Sequence, residues 1–459
     1  MANSYLSRTP SGAGSRVKWT YSVWLKRSKL GHQPIWAATT DGNNYDEFYF
    51  NSTDKIQFTT VSSSSQKAIR TSRVFRDINA WYHIVLIYDT GNSTDTDHAQ
   101  LWINGVRETS FEDTTLLASG ANNVQSNWNN TIEMKIGRVT TNTAAYFEGY
   151  MSHAAFVNDA VVAPTSFGET DSTSGIWKFK SPSGVTWGTN GFHLKFENSG
   201  ALGTDSSGQS NTFTVNGNLK QALDTPSNVH ATMNSIGNYV AATTLTNGNN
   251  TVAMTNSKGG NLSTLACTGG KYYAEMKVAT MPSDSRFHIG IMPHPVVNAD
   301  DPINTGNNGI MLSAFNSVIY ANSGSGSAIL NNFYGNATGR FSGTPIMGCA
   351  VDLSSATKTM AISINGAWIS GSNTTDASFS NALKVDISTP VALEDDWFFG
   401  CGSGNGSGTT GVYHWNFGNG YFGTTAITSA GSNGNGSLFE YDVPSGYYAL
   451  NTKNINTYG

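Results

Sequence analysis

Trp81-Tyr-His-Ile-Val-Leu-Ile-Tyr-Asp89, a polar loop, and Ala99-Gln-Leu-Trp-Ile-Asn-Gly-Val106 decide the fold. The same pattern returns as Met347-Gly-Cys-Ala-Val-Asp352, a polar loop, and Thr359-Met-Ala-Ile-Ser-Ile-Asn-Gly-Ala-Trp368. Each copy is a β-branched and aromatic run, an acidic turn, a second run and a closing Ile-Asn-Gly. Asn and Gly tolerate left-handed backbone, so Asn-Gly after an apolar run signals a tight turn. Met360, Ile362 and Ile364 alternate with Thr359, Ala361 and Ser363, the period of a sheet with one buried face. Around 81–88 both faces are apolar, which predicts a central strand covered on both sides. Two such hairpins predict an all-β chain of two tandem β-sandwiches.

Composition agrees. A chain of 459 residues exceeds the size at which single cores stop growing, so two domains are expected. Glycine is abundant (49 residues) and only 12% of residues are charged, which suits short strands and turns rather than helices. The 11% aromatic content argues against disorder. A net charge of −5 removes the electrostatic basis for nucleic-acid binding. Cys267, Cys349 and Cys401 imply no disulfide framework and read as small core residues. No basic stretch runs into an apolar one at the start, and no apolar run reaches the ~20 residues of a membrane helix. Synthesis in a reducing cytosol without membrane insertion is therefore expected.

From Val17 to Val157, short alternating runs are separated by Gly, Asn and Asp, including Val17–Lys26, Glu47-Phe-Tyr-Phe50 and Lys55–Val61. Such spacing without helical stretches reads as a sandwich or jelly roll. Trp24-Leu-Lys-Arg, Ala80-Trp-Tyr-His-Ile-Val, Leu101-Trp-Ile-Asn-Gly and Phe147-Glu-Gly-Tyr-Met-Ser occur in the order of a laminin-G-like, concanavalin-A-like jelly roll, which residues 1–166 resemble. Ser4-Tyr-Leu-Ser-Arg-Thr-Pro10 and Pro164-Thr-Ser-Phe-Gly-Glu169 are similar to structural proteins of tailed, especially marine, bacteriophages. Residues 167–230 read as a connector with short strands. Residues 231–459, from Gly270-Lys-Tyr-Tyr through Trp397-Phe-Phe-Gly to Pro444-Ser-Gly-Tyr-Tyr, resemble a SPRY-like sandwich.

The resemblance implies a virion surface protein of tail-fibre or head-fibre type, attached to host surface polysaccharide, in contact with other virion proteins and trimeric. A purely structural decoration protein is the alternative, and a glycan depolymerase the third. Glycan-cleaving relatives of this fold carry paired carboxylates as Glu-x-Asp-x-Glu on one strand, about 5 Å apart for a retaining mechanism. No such stretch occurs, Glu275 stands alone in its strand, and Glu394, Asp395 and Asp396 are consecutive, so no catalysis is expected. Laminin-G-like domains also imply Ca²⁺ at a rim, for which Asp41, Asp46, Asp95 and Asp97 are the loop candidates. Sugars need exposed aromatic faces beside amides. Trp128 with Asn129, Trp187, and Tyr320 with Asn322 lie in polar settings and are the candidate glycan residues. Trp19, Trp24, Trp81, Trp102 and Trp415 lie in strands and are expected in the cores.

Overall fold

A computed structural model describes residues 3–139, 145–239, 243–255, 259–282, 287–293, 309–314, 318–321, 328–330, 341–371, 374–391, 396–403 and 410–459. Strands take up 47% of residues and helices 5%, so the chain is all-β as its turn-rich composition predicts. No helix among the described residues is long and apolar enough to cross a membrane. The chain divides into two compact units, residues 1–221 with 225–227, and 222–224 with 228–459.

In the first unit an eight-stranded antiparallel sheet runs in the order Phe111–Asp113, Ser65–Thr71, Ile56–Ser62, Asn44–Phe50, Gln33–Asp41, Met134–Ile136, Tyr5–Arg8 and Thr214–Asn216. A six-stranded sheet runs Phe192–Leu194, Gly149–Asn158, Lys18–Arg27, Trp81–Asp89, Ala99–Ile103 and Val106–Arg107. Alternate residues of both sheets meet in one core, where Trp19, Tyr21, Trp36, Phe58, Tyr88 and Phe156 are buried. Trp19 stacks on Tyr88 at 5.0 Å and meets Phe58 edge-on at 5.9 Å, geometries that add to simple burial.

The stretch 167–230 is not a separate connector. Phe192–Leu194 pairs with Gly149–Asn158, and Thr214–Asn216 pairs with Tyr5–Arg8, so two of its strands extend the two sheets of the first unit, to which most of it belongs. Its early part covers the outer face of the six-stranded sheet, where Phe167 packs with Ala155 and Val157, and Val162, Val185 and Trp187 pack against them. That cover is why Trp81–Tyr88 is apolar on both faces.

The second unit pairs a seven-stranded sheet centred on Phe287–Pro293 and Trp397–Ser403 with a larger one centred on Lys271–Thr280, Ile346–Asp352 and Thr410–Asn416. Val278, Ile289, Phe399 and Trp415 share its core with Cys267, Cys349 and Cys401, all three thiols free and buried. Its larger sheet is also covered outside. Phe439, Val443 and Tyr447 pack over Tyr273, Ala350, Ala361 and Trp368.

Both Ile-Asn-Gly turns form as two-residue hairpin turns with left-handed backbone, φ being +49° at Asn104 and Asn365, +77° at Gly105 and +83° at Gly366. Each asparagine also ties back to the first strand of its hairpin. His83 N–H donates to Asn104 Oδ1 at 2.8 Å, and Asn104 N–H donates to the His83 carbonyl at 2.9 Å. Ile346 and Asn365 make the same pair of bonds at 2.9 and 2.7 Å.

Glu275 is fully buried beneath the second cover. It accepts hydrogen bonds from Glu440 N–H and Tyr441 N–H at 2.9 Å, and from Tyr273 Oη–H and Asn416 Nδ2–H at 3.2 Å. Burial pushes its carboxyl up from the ordinary 4.5 to about 7, the donors opposing. The folded unit thus holds this proton more tightly than the unfolded chain does. Its contribution is fully present below about pH 4.5 and is lost as pH rises through 7, on the order of 3 kcal/mol across that window. Urea unfolding of the second-unit transition should show this decline with pH. Glu275→Gln should be less stable throughout, since an amide nitrogen faces donors, and should flatten the decline.

Candidate functional site

Asn44–Phe50 alternates strictly. Asp46, Phe48 and Phe50 are buried, whereas Tyr45, Glu47 and Tyr49 are half-buried on the outer face of the eight-stranded sheet. Strand register sets their neighbours. Tyr49 lies opposite Gln57, which lies opposite Arg70; Glu47 lies opposite Thr59, which lies opposite Ala68. On the other side Glu47 faces Ala37, and Ala37 faces Lys135. Ala37, Thr59 and Ala68 beside them are buried, and the Tyr49 hydroxyl bonds to Thr59, so Tyr45 and Tyr49 share the outer face with Glu47, one on either side of it along the strand.

The polar groups here are held in place. Gln57 Nε2–H donates to Thr59 Oγ1 at 3.0 Å, and Arg70 pairs with Glu112 at 3.4 Å. Burial pushes the Tyr49 phenol up to about 12, and burial with Glu47 nearby raises Tyr45. Both rings are therefore neutral hydrogen-bonding phenols at physiological pH. His32 packs against Tyr49 with ring centroids 5.1 Å apart, fixing that wall.

The residues expected to bind glycan fare differently. Trp128 is fully buried, with Trp36 at 3.9 Å and Tyr21 at 6.1 Å between ring centroids. Its polar flanks serve a buried carboxylate. Asp46 accepts from Ser126 Oγ–H at 2.5 Å, Asn127 Nδ2–H at 3.2 Å and Trp128 N–H at 2.8 Å. Asn129 is buried too, donating to the Ser15 carbonyl and accepting from Asn190. Trp187 is half-buried in the cover and stacks on His193 at 5.6 Å. Tyr320 lies in the strand Val318–Ala321, its side chain outside the described residues, as Asn322 is entirely. Three strand tryptophans also differ from expectation. Trp102 is half-buried on the outer face, Trp24 is buried outside the core, stacked on His83 at 4.7 Å, and Trp81 is buried outside it too, against Tyr150 at 6.4 Å.

The calcium candidates are each engaged within the protein. Asp41 accepts from Asn43 N–H at 2.7 Å and from Asn44, as a turn former does. Asp46 is the loop clamp, Asp97 pairs with Arg107 at 2.6 Å, and Asp95 lies 3.8 Å from His98. Among the described residues no group of three or more His, Cys, Asp or Glu side chains is placed to hold a metal.

Residues 2–165 match the family model described as the concanavalin A-like lectin/glucanases superfamily, about a third of the chain and within the first unit. No curated protein matches. Among solved structures the chain is similar to the SPRY domain of human HERC1, at 13% identity over 40% of this chain and 96% of that one, TM-score 0.29. It is similar also to a putative carbohydrate binding protein from Bacteroides ovatus, at 16% identity over 49% and 59%, TM-score 0.29. Domains LG4-5 of the mouse laminin alpha1 chain align over 96% and 94% at 8% identity, TM-score 0.27. At such scores these likenesses carry no argument about activity.

Trp128→Ala should destabilise the first unit by about 3–5 kcal/mol, because it empties the centre of an aromatic core. Trp102→Ala should cost markedly less. Paired denaturant melts check the order, and equal losses would contradict the placement.

Proposed function

We propose that the chain is a non-catalytic glycan-binding protein whose first unit receives a saccharide across Tyr45, Glu47 and Tyr49. The observation that carries this is the alternation of two phenol rings with a carboxylate over an amide, hydroxyl and guanidinium row. Sugars present apolar C–H faces that stack on rings, ringed by hydroxyls that pair with carboxylate and amide groups. The concanavalin A-like match over residues 2–165 is compatible with such a ligand. The phage-like wording at Ser4–Pro10 and Pro164–Glu169 supports the exterior of a virion as its place and host surface polysaccharide as the saccharide. With it we propose a homotrimer in contact with other virion proteins, to be read by light scattering at micromolar concentration. A monomer on isolated and virion-assembled samples alike would refute that part.

Binding without cleavage follows from the carboxylates. Glu47 is flanked on its face by tyrosines at 45 and 49 rather than by a second acid. Glu275 is buried under four donors and cannot touch a sugar. Incubation with bound polysaccharide should release no reducing ends, and release abolished by Glu47→Gln would overturn this.

Tyr45→Ala, Tyr49→Ala and Glu47→Gln should each weaken binding of the intact chain to host polysaccharide by about 10- to 30-fold, as a central hot spot does. Their melting temperatures should fall far less than that of Trp128→Ala. Wild-type affinity in all three would place the ligand elsewhere.

A further inference from the structure

The cover over the six-stranded sheet of the first unit rests on three histidines. Its hairpin consists of Gly168–Thr170 paired with Trp177–Phe179. Trp177 stacks over His83 at 5.9 Å, and its Nε1–H donates to His83 Nδ1 at 2.9 Å. Phe179 stacks on His153 at 3.7 Å, and His153 Nδ1 lies 3.2 Å from His193 Nε2. Trp187 stacks on His193. The Trp177 indole is seated tightly: a Cβ on Gly105 or Gly168 would come within 2.5–2.6 Å of its ring atoms.

These contacts require neutral rings. An indole N–H can only donate, so His83 Nδ1 accepts and its Nε2–H donates to Ser22 Oγ at 2.9 Å. A proton added to Nδ1 would set two N–H groups against each other and break the bond to Trp177. In the His153–His193 pair one ring donates and the other accepts. A second proton there would oppose two donors and two positive charges.

We propose that the segment 160–188 is an acid-released cover, latched by His83, His153 and His193, whose opening bares the apolar outer face around Trp24, Val85, Ala155 and Val157. Burial lowers all three histidines from the ordinary 6.5, His83 and His153 to about 3 and His193 to about 4. Lys195 lowers His153 and His193 further, while Asp205 and Glu197 act the other way on His193. Ser22 is the polar group facing His83 from the neighbouring strand. The charges of the hairpin are engaged with one another, since Lys178 pairs with Glu169 at 3.6 Å and Asp171 at 2.9 Å. The aromatic faces over the rings would partly offset a positive charge.

The sign follows from the lowered values. The closed state binds fewer protons than the open one, so closure is fully favoured above about pH 6.5 and lost as pH falls toward 3–4. Each histidine favours opening by up to about tenfold per pH unit in that window.

Native-state hydrogen exchange of the full chain, corrected for intrinsic rates, tests this. Between pH 6.5 and 5 the amides of Asn158, bonded to the Trp187 carbonyl, and Lys180, bonded to the Phe167 carbonyl, should open on the order of 10³-fold more often. Amides joining Lys18–Arg27 to Trp81–Asp89 should keep their protection. His83→Gln keeps an acceptor but takes no proton, and should lower the pH slope at these amides by about one proton. Trp177→Phe removes the donor together with part of the ring packed on Gly105 and Gly168, and should raise opening of the cover already at pH 7.5. Opening independent of pH, loss of the central strands in the same step, or unchanged cover protection in Trp177→Phe would each overturn the proposal.

Discussion

A glycine seated under an aromatic ring, one residue after an asparagine that ties two strands together, organises each unit. In the first unit Asn104 bonds back to His83, and Gly105 leaves room for Trp177. In the second Asn365 bonds back to Ile346, and a Cβ on Gly366 would lie 2.4 Å from a Tyr441 ring atom. The asparagine accepts the left-handed conformation and closes the hairpin, while the glycine permits it without a side chain. Both turns thus register three strands and seat a segment that returns over the outside of the sheet. Each sandwich then has one sheet whose outer face is covered.

The two covers are held by different chemistry. Neutral imidazoles hold Trp177 and Phe179, whereas a buried carboxylate, Glu275, holds the backbone of Glu440 and Tyr441. Both latches place an ionisable group where water is excluded, so each couples its proton to closure, with opposite sign. Asp46 clamps residues 126–128 in a third version of the same device, its carboxyl raised by burial and opposed by its donors.

Strands, hairpins and the all-β class were legible because period-two alternation and Asn-Gly turns are local signals. The proposed site was not, for a physical reason that Trp128 shows. Ser126, Asn127 and Asn129 look like a solvated loop, yet they satisfy Asp46, Ser15 and Asn190 far away in sequence. Polar flanks mark exposure only when no buried partner waits for them. Conversely Tyr45, Glu47 and Tyr49 sit in a strand whose alternation was plain, but nothing local told which face turned outward. The stretch 167–230 read as a joint for a similar reason, since its partners, Gly149–Asn158 and Tyr5–Arg8, lie upstream in the chain.

The six-stranded sheet of the first unit is covered outside, and the half-buried Tyr45, Glu47 and Tyr49 on the outer face of its eight-stranded partner are proposed to meet the ligand, the centre of this account. Hydroxyl-radical footprinting of the intact chain, with and without host polysaccharide at neutral pH, measures it directly. Tyr45 and Tyr49 should become protected on binding, while Trp177, Phe179 and Trp187 keep the reactivity of the free chain. Protection of the cover aromatics with Tyr45 and Tyr49 unchanged would contradict it.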